Sequence, residues 1–111
     1  METPDKWVVL KIEHEGNIIY KVFASWYGGY LGSDSWKLNS GIKDIEIPLE
    51  DTYIDFIGHS ESTYRCQNGC YGTSLYSQGI LNNIIEVTAK NNAIITVMDE
   101  QKINDWLKIL E

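Results

Sequence analysis

Apolar and polar positions alternate along the first half of this chain and then shift to a longer period. In residues 7–14, Val8, Leu10, Ile12 and His14 share one parity while Lys11 and Glu13 take the other, the two-residue period of a half-buried strand. Gly16-Asn17 follows, a dipeptide suited to the II′ turn of a tight hairpin. Residues 18–26, rich in β-branched and aromatic side chains, supply the returning strand. Residues 42–49 alternate again, with Ile45, Ile47 and Leu49 facing in and Asp44, Glu46 and Pro48 facing out. Pro48 has no amide donor, so the strand ends there or lies at a sheet edge. Residues 53–58 and 62–66 read as two further short strands joined through His59-Ser60-Glu61, and Asn68-Gly69 is another hairpin-type turn.

The period then lengthens. Tyr76, Ile80, Ile84 and Val87 fall at i, i+4, i+8 and i+11, one face of a helix that Thr73 or Ser74 would cap. Gly79 weakens the helical propensity of that run. Asn91-Asn92 breaks the chain before an apolar run at 93–98, which suits a buried strand. Asp99 is placed to cap a final helix over 100–110, with Ile103, Trp106, Leu107 and Leu110 in one stripe. The pattern predicts an α+β fold: an antiparallel meander of about five strands, with a helix, a short buried strand and a C-terminal amphipathic helix packed on one face. Residues 1–6 read as a loose N-terminus. Residues 28–41, with four glycines, three serines and no sustained period, read as a long loop or an irregular edge excursion.

Composition fits one domain. The 111 residues are 43% hydrophobic and 12% aromatic, enough for a single ordinary core and too much for a disordered chain. Nine Lys and Arg against 16 Asp and Glu give a formal charge of −7. Affinity for phosphate is built from clustered cations, so direct binding to nucleic acid or to an anionic membrane is not expected. There is no apolar run of membrane-spanning length and no secretory leader pattern; the cytoplasm, with Cys66 and Cys70 reduced, is the default location.

Motifs for catalysis are thin. Gly58-His59-Ser60-Glu61-Ser62 resembles a nucleophile elbow, but its closing glycine is Ser62 and a strand, not a helix, is expected to follow. Cys66 and Cys70 could contribute two zinc ligands, with only His14 and His59 available to complete a set of four, and these fall on opposite sides of the expected sheet. A three-residue loop between the cysteines would set them opposite each other in a hairpin, so a labile disulfide is the alternative to two free thiols. His14 and His59 have acidic neighbours in Glu13, Glu15 and Glu61, but adjacent residues on a strand point to opposite faces. No cofactor or metal is expected.

Two features point instead to binding. Tyr20, Phe23, Trp26, Tyr27, Tyr30 and Trp36 crowd residues 20–36, and from Ser25 onward they are interleaved with glycine and serine, the mixture that binding loops favour. Between Asp44 and Tyr64 there are six acids (Asp44, Glu46, Glu50, Asp51, Asp55 and Glu61) and no cation. Asp44, Glu46 and Asp55 would project from one solvent face, with Glu50 and Asp51 at the adjoining turn. The expected site therefore comprises Trp26, Tyr27, Tyr30, Asp34, Trp36, Asp44, Glu46, Glu50, Asp51 and Asp55. It suits a small acidic non-catalytic protein, of the inhibitor, immunity or anti-defence class, whose carboxylates stand in for phosphates on a basic surface of a partner protein. A carbohydrate or small-ligand module using the Trp/Tyr loop is the alternative, followed by an enzyme of undetected type. Trp106 and Leu110 could also pair two copies through the C-terminal helix.

Overall fold

The computed structural model describes residues 1–30 and 32–110, without the side chains of 108–110. Seven strands and two helices follow in the order β1 (Lys6–His14), β2 (Asn17–Trp26), β3 (Ser35–Leu38), β4 (Ile42–Glu46), β5 (Tyr53–Gly58), β6 (Thr63–Gln67), α1 (Leu75–Ala89), β7 (Ala93–Val97) and α2 (Glu100–Leu110). The fold is α+β. The strands divide into a four-stranded sheet, β3-β2-β1-β7, and a three-stranded sheet, β4-β5-β6, antiparallel throughout.

The β1–β2 hairpin pairs His14 with Asn17, so its two-residue turn is Glu15-Gly16 rather than Gly16-Asn17. Both turn residues have positive φ, 51° and 80°, which is the I′ geometry and not II′. Four consecutive residues of β1, Trp7 to Leu10, are buried, as are Val22 to Ser25 on β2. Strands buried on both faces need cover on both sides. Trp7, Val9, Val22 and Ala24 pack against Ile54, Phe56, Tyr64 and Cys66 of the smaller sheet and against Ile103 and Leu107 of α2. Val8, Leu10 and Phe23 pack against Leu81, with Ile80, Ile84 and Ile85 of α1 around them. The two helices thus cover opposite faces of the larger sheet, where the sequence pattern placed both on one.

Helix α1 starts at Ser74, whose hydroxyl accepts from the Ser77 N–H while Ser77 Oγ accepts from the Ser74 N–H, a reciprocal capping box. Its buried stripe runs through Ser77, Ile80, Leu81, Ile84 and Ile85, and Tyr76 and Val87 of the expected face are exposed. β7 forms at the expected place but at an edge, pairing only with β1 among the described residues; Ile94 and Val97 are exposed there. Asp99 caps α2 as expected, accepting the Gln101 N–H at 3.0 Å.

Three loop readings change. Part of 28–41 is strand: β3 pairs with the end of β2, Trp36 opposite Ser25. Asn39 behind it is buried, its Oδ1 accepting from the Val22 and Gly41 N–H groups. The segment read as a loose N-terminus is held at Glu2, which bridges to Tyr64 on β6, and Pro4 is buried. Strand β4 stops at Glu46, two residues before Pro48, and Leu49 is fully exposed instead of facing in.

Tyr71 closes the seam between the layers. Its ring stands edge-on to Trp7, centroids 4.8 Å apart, and its hydroxyl donates to the Met98 carbonyl while accepting the Val9 N–H at 3.2 Å. The Met98 N–H donates directly to the Val9 carbonyl at 2.9 Å. The phenol thus relays the second hydrogen bond of a strand pair whose first bond is direct. Burial pushes the Tyr71 hydroxyl up to about 12.

Candidate interaction surface

The outer face of the three-stranded sheet is built by the alternation that buries its inner face. Ile54 and Phe56 of β5 and Tyr64 and Cys66 of β6 point into the core, so Tyr53, Asp55, Ile57, Thr63 and Arg65 take the other side. The β4–β5 register sets Glu46 beside Asp55 and, past a bulge between Ile42 and Asp44, sets Asp44 beside Ile57. Glu46, Asp55 and Arg65 therefore form one row across three strands.

Within that row Asp55 is not available to a partner. Arg65 donates to both of its carboxylate oxygens, Nε and Nη2 each at 2.9 Å, and the carboxylate is almost fully buried. The guanidinium also lies over the Tyr53 ring, 4.0 Å from its centroid. The hydrogen bond to Asp55 raises the Arg65 pKa. Glu61 is likewise occupied, by Lys43 at 2.6 Å. Both cations stand one residue outside the cation-free window, Lys43 before Asp44 and Arg65 after Tyr64, and the window concealed them.

Four acids remain: Asp44, Glu46, Glu50 and Asp51 are exposed and form no ion pair among the described residues. Asp44 Oδ1 accepts the Ile45 N–H at 2.9 Å, which leaves its charge facing water. Glu50 lies near enough to Arg65 to act on its charge. Asp51 has φ of 52°, and its carbonyl accepts from the Asn68 side chain. It also lines a cavity of about 280 Å³ between the smaller sheet and α2, shared with Glu100 and Asn104.

The aromatic set is elsewhere. Trp26 is half-buried against the core, and its indole N–H donates to the Thr3 carbonyl at 3.1 Å. Trp36 stacks on Phe23, centroids 5.7 Å apart. Trp26 thus packs under the N-terminal segment, whereas Trp36 covers Phe23 at the β3 edge and stays 38% exposed. Tyr27 and Tyr30 are exposed, and Tyr30 has no protein cover at all. The Tyr27 N–H donates to Asp5 at 2.8 Å, and Asp34 accepts the Gly28 N–H at 2.9 Å, so Asp34 fixes the loop's own base. No hydrogen bond, ion pair or ring contact joins this loop to the acids of β4 and its turn among the described residues. The residues of the expected site thus stand on two different sheets, the aromatics with β2 and β3 and the acids with β4, β5 and the turn between them.

The remaining candidates also resolve. Gly58 to Ser62 is a closed polar turn: Gly58 N–H donates to the Ser62 carbonyl at 2.9 Å, and Ser60 Oγ is engaged by Ser40 and Ser62. His59 rests against Gly41, where a Cβ would come within 2.9 Å of the imidazole, and His14 lies on the other sheet. Cys66 and Cys70 are free thiols; the chain leaves β6 to bridge β1 at Tyr71, so no hairpin brings the cysteines face to face. Burial pushes the Cys66 thiol far up, the opposite of an activated nucleophile. Trp106 of α2 rests on Tyr20 of β2 in the same chain, ring centroids 5.0 Å apart, and the Leu110 side chain lies outside the described residues. No helix among the described residues is long and apolar enough to cross a membrane. No family model, no curated protein and no solved structure matches this chain.

Proposed function

We propose that this chain is a small acidic, non-catalytic binding protein that occupies a basic, nucleic-acid-binding surface of a partner protein, as inhibitors, immunity-type proteins and anti-defence proteins of mobile elements do. The observation that supports it is the run of exposed carboxylates that form no ion pair among the described residues, Asp44, Glu46 and Glu50 on the β4 side of the smaller sheet, with Asp51 at its end. Like charges gathered on one edge without direct ion pairs oppose folding, and a cationic ligand would account for their retention. Contact would be with protein, not with nucleic acid directly. A cytoplasmic setting, with both thiols reduced, fits this reading. Asp55 supports the surface from beneath by holding Arg65.

Affinity capture from a lysate, repeated across a salt series, tests the proposal. A basic partner should be retained at low salt and released steeply as salt rises. The variant Asp44→Asn/Glu46→Gln/Glu50→Gln/Asp51→Asn should lose it while keeping its fold. Retention by that variant overturns the reading. Tyr27 and Tyr30 favour the second reading, stacking on sugar faces. Simple glycans perturbing these tyrosines with no protein partner present would favour that reading instead.

A further inference from the structure

The two sheets have four outer edges, and three of them are closed or blunted. β3 is four residues long and carries Lys37. β4 bulges between Ile42 and Asp44, carries Asp44 and Glu46, and runs toward Pro48. β6 is covered by Glu2, whose N–H donates to the Thr63 carbonyl at 2.8 Å and whose carbonyl accepts the Arg65 N–H at 2.7 Å. Charges, bulges and covering segments are the usual defences of a sheet edge against another strand. β7 has none of them among the described residues. Ala93-Ile94-Ile95-Thr96-Val97 contains no charge, proline or glycine, and Ile94 is 62% exposed.

The ladder shows what this edge offers. The Met98 N–H donates to the Val9 carbonyl, and Leu10 lies opposite Val97. Antiparallel alternation then turns the main-chain groups of Ile94 and Thr96 toward β1 and those of Ala93, Ile95 and Val97 outward.

We propose that this edge binds a second copy of the chain, β7 against β7, antiparallel about a two-fold axis at Ile95. In that register each Ile95 N–H donates to the Ile95 carbonyl of the other copy, and Ala93 and Val97 exchange bonds in the same way on either side. The outward parity of all three residues is the one this pairing requires. Ile94 falls beside Thr96 of the other copy on one face, and Ile95 beside Ile95 on the other. The charges at the strand ends also match: the end preceded by Lys90 meets the end followed by Asp99 and Glu100, twice by symmetry. A chain of net charge −7 repels its copy over most of its surface, and this uncharged edge with oppositely charged ends is where the two can meet. The product is a continuous eight-stranded sheet. It leaves the acidic β4 surface of each copy free.

Sedimentation equilibrium on the whole chain tests this over a wide concentration range. The mass should move from 12.7 kDa toward twice that value as concentration rises. Ile95→Pro removes an outward N–H and no bond to β1, and should abolish the dimer while circular dichroism stays native. Thr96→Lys places a cation on an exposed edge position and should do the same, should the proline variant fail to fold. Lys90→Glu should weaken dimerisation at least about tenfold, and adding Glu100→Lys should restore most of it. A monomer at every concentration overturns the proposal, as does a dimer indifferent to Ile95→Pro, Thr96→Lys and the charge exchange.

Discussion

Arg65 grips Asp55 through two parallel hydrogen bonds of 2.9 Å on the outer face of the smaller sheet, and the carboxylate they hold is almost completely withdrawn from water. The pair is a structural element set among functional candidates. Arg65→Met leaves a nearly buried carboxylate without its partner, and should destabilise the fold more than removal of the carboxylate's charge does. Asp55→Asn keeps the shape, and the loss should be about 1–2 kcal/mol. Urea titration of both variants checks the order. Equal, negligible effects would place the pair among ordinary surface ion pairs.

The uncompensated acids should behave in the opposite way. Neutralising Asp44, Glu46, Glu50 and Asp51 together relieves like-charge repulsion, and should raise the stability of the isolated protein by roughly 0.5–1 kcal/mol. A thermal melt at low ionic strength reads this, and the gain should shrink as salt is added. A loss of stability on neutralisation would mean that these carboxylates serve the fold.

Alkaline pH should weaken the fold from about pH 9 upward. Cys66 and Tyr71 both keep their protons longer when folded, because burial penalises the thiolate and the phenolate. Each raised pKa contributes stability that is fully present below the unfolded value, 9.0 for the thiol and 10.0 for the phenol, and is lost as pH rises toward the folded value. The unfolded chain releases these protons first, so Tm should fall through this window. Tyr71→Phe should flatten the part of the decline above pH 10. At neutral pH it should cost about 1–3 kcal/mol, because the Val9 N–H and the Met98 carbonyl both lose their partner.

The Glu15-Gly16 turn offers a gain. Glu15 holds φ of 51° in a type I′ turn, a conformation that asparagine adopts more readily than glutamate. Glu15→Asn should therefore stabilise the hairpin by about 0.5–1 kcal/mol in chemical denaturation.

Period carried much of this architecture in the sequence. Alternation located the strands of the first hairpin and of the smaller sheet, and the caps Ser74 and Asp99 marked where the helices begin. Partnership between elements was not legible. Trp7 to Leu10 is apolar at every position, and an unbroken apolar run reports burial without saying that one face meets α1 and the other meets a second sheet. β3 escaped because four residues between glycine- and serine-rich flanks are too few to establish a period. The acidic surface was half legible. Its charges can be counted from the sequence, but Arg65 and Lys43 neutralise two of them across strands, and such pairing depends on register. The tryptophans were not separable by sequence, because an indole that packs on its own sheet and one that grips a partner have the same local neighbours. Trp26 is half-buried under the N-terminal segment, and Trp36 rests on Phe23 with part of its ring exposed.

The order of strands in the larger sheet bears on how the protein is made. β1 lies between β2 and β7, so its two neighbours are far apart along the chain. A ribosome delivers the first hairpin early, yet one side of β1 stays unclothed until Ala93–Val97 emerges, after the whole smaller sheet and α1. Nascent chains stalled before that point should recruit chaperones, and folding should finish as one late event set by the return of the final strand.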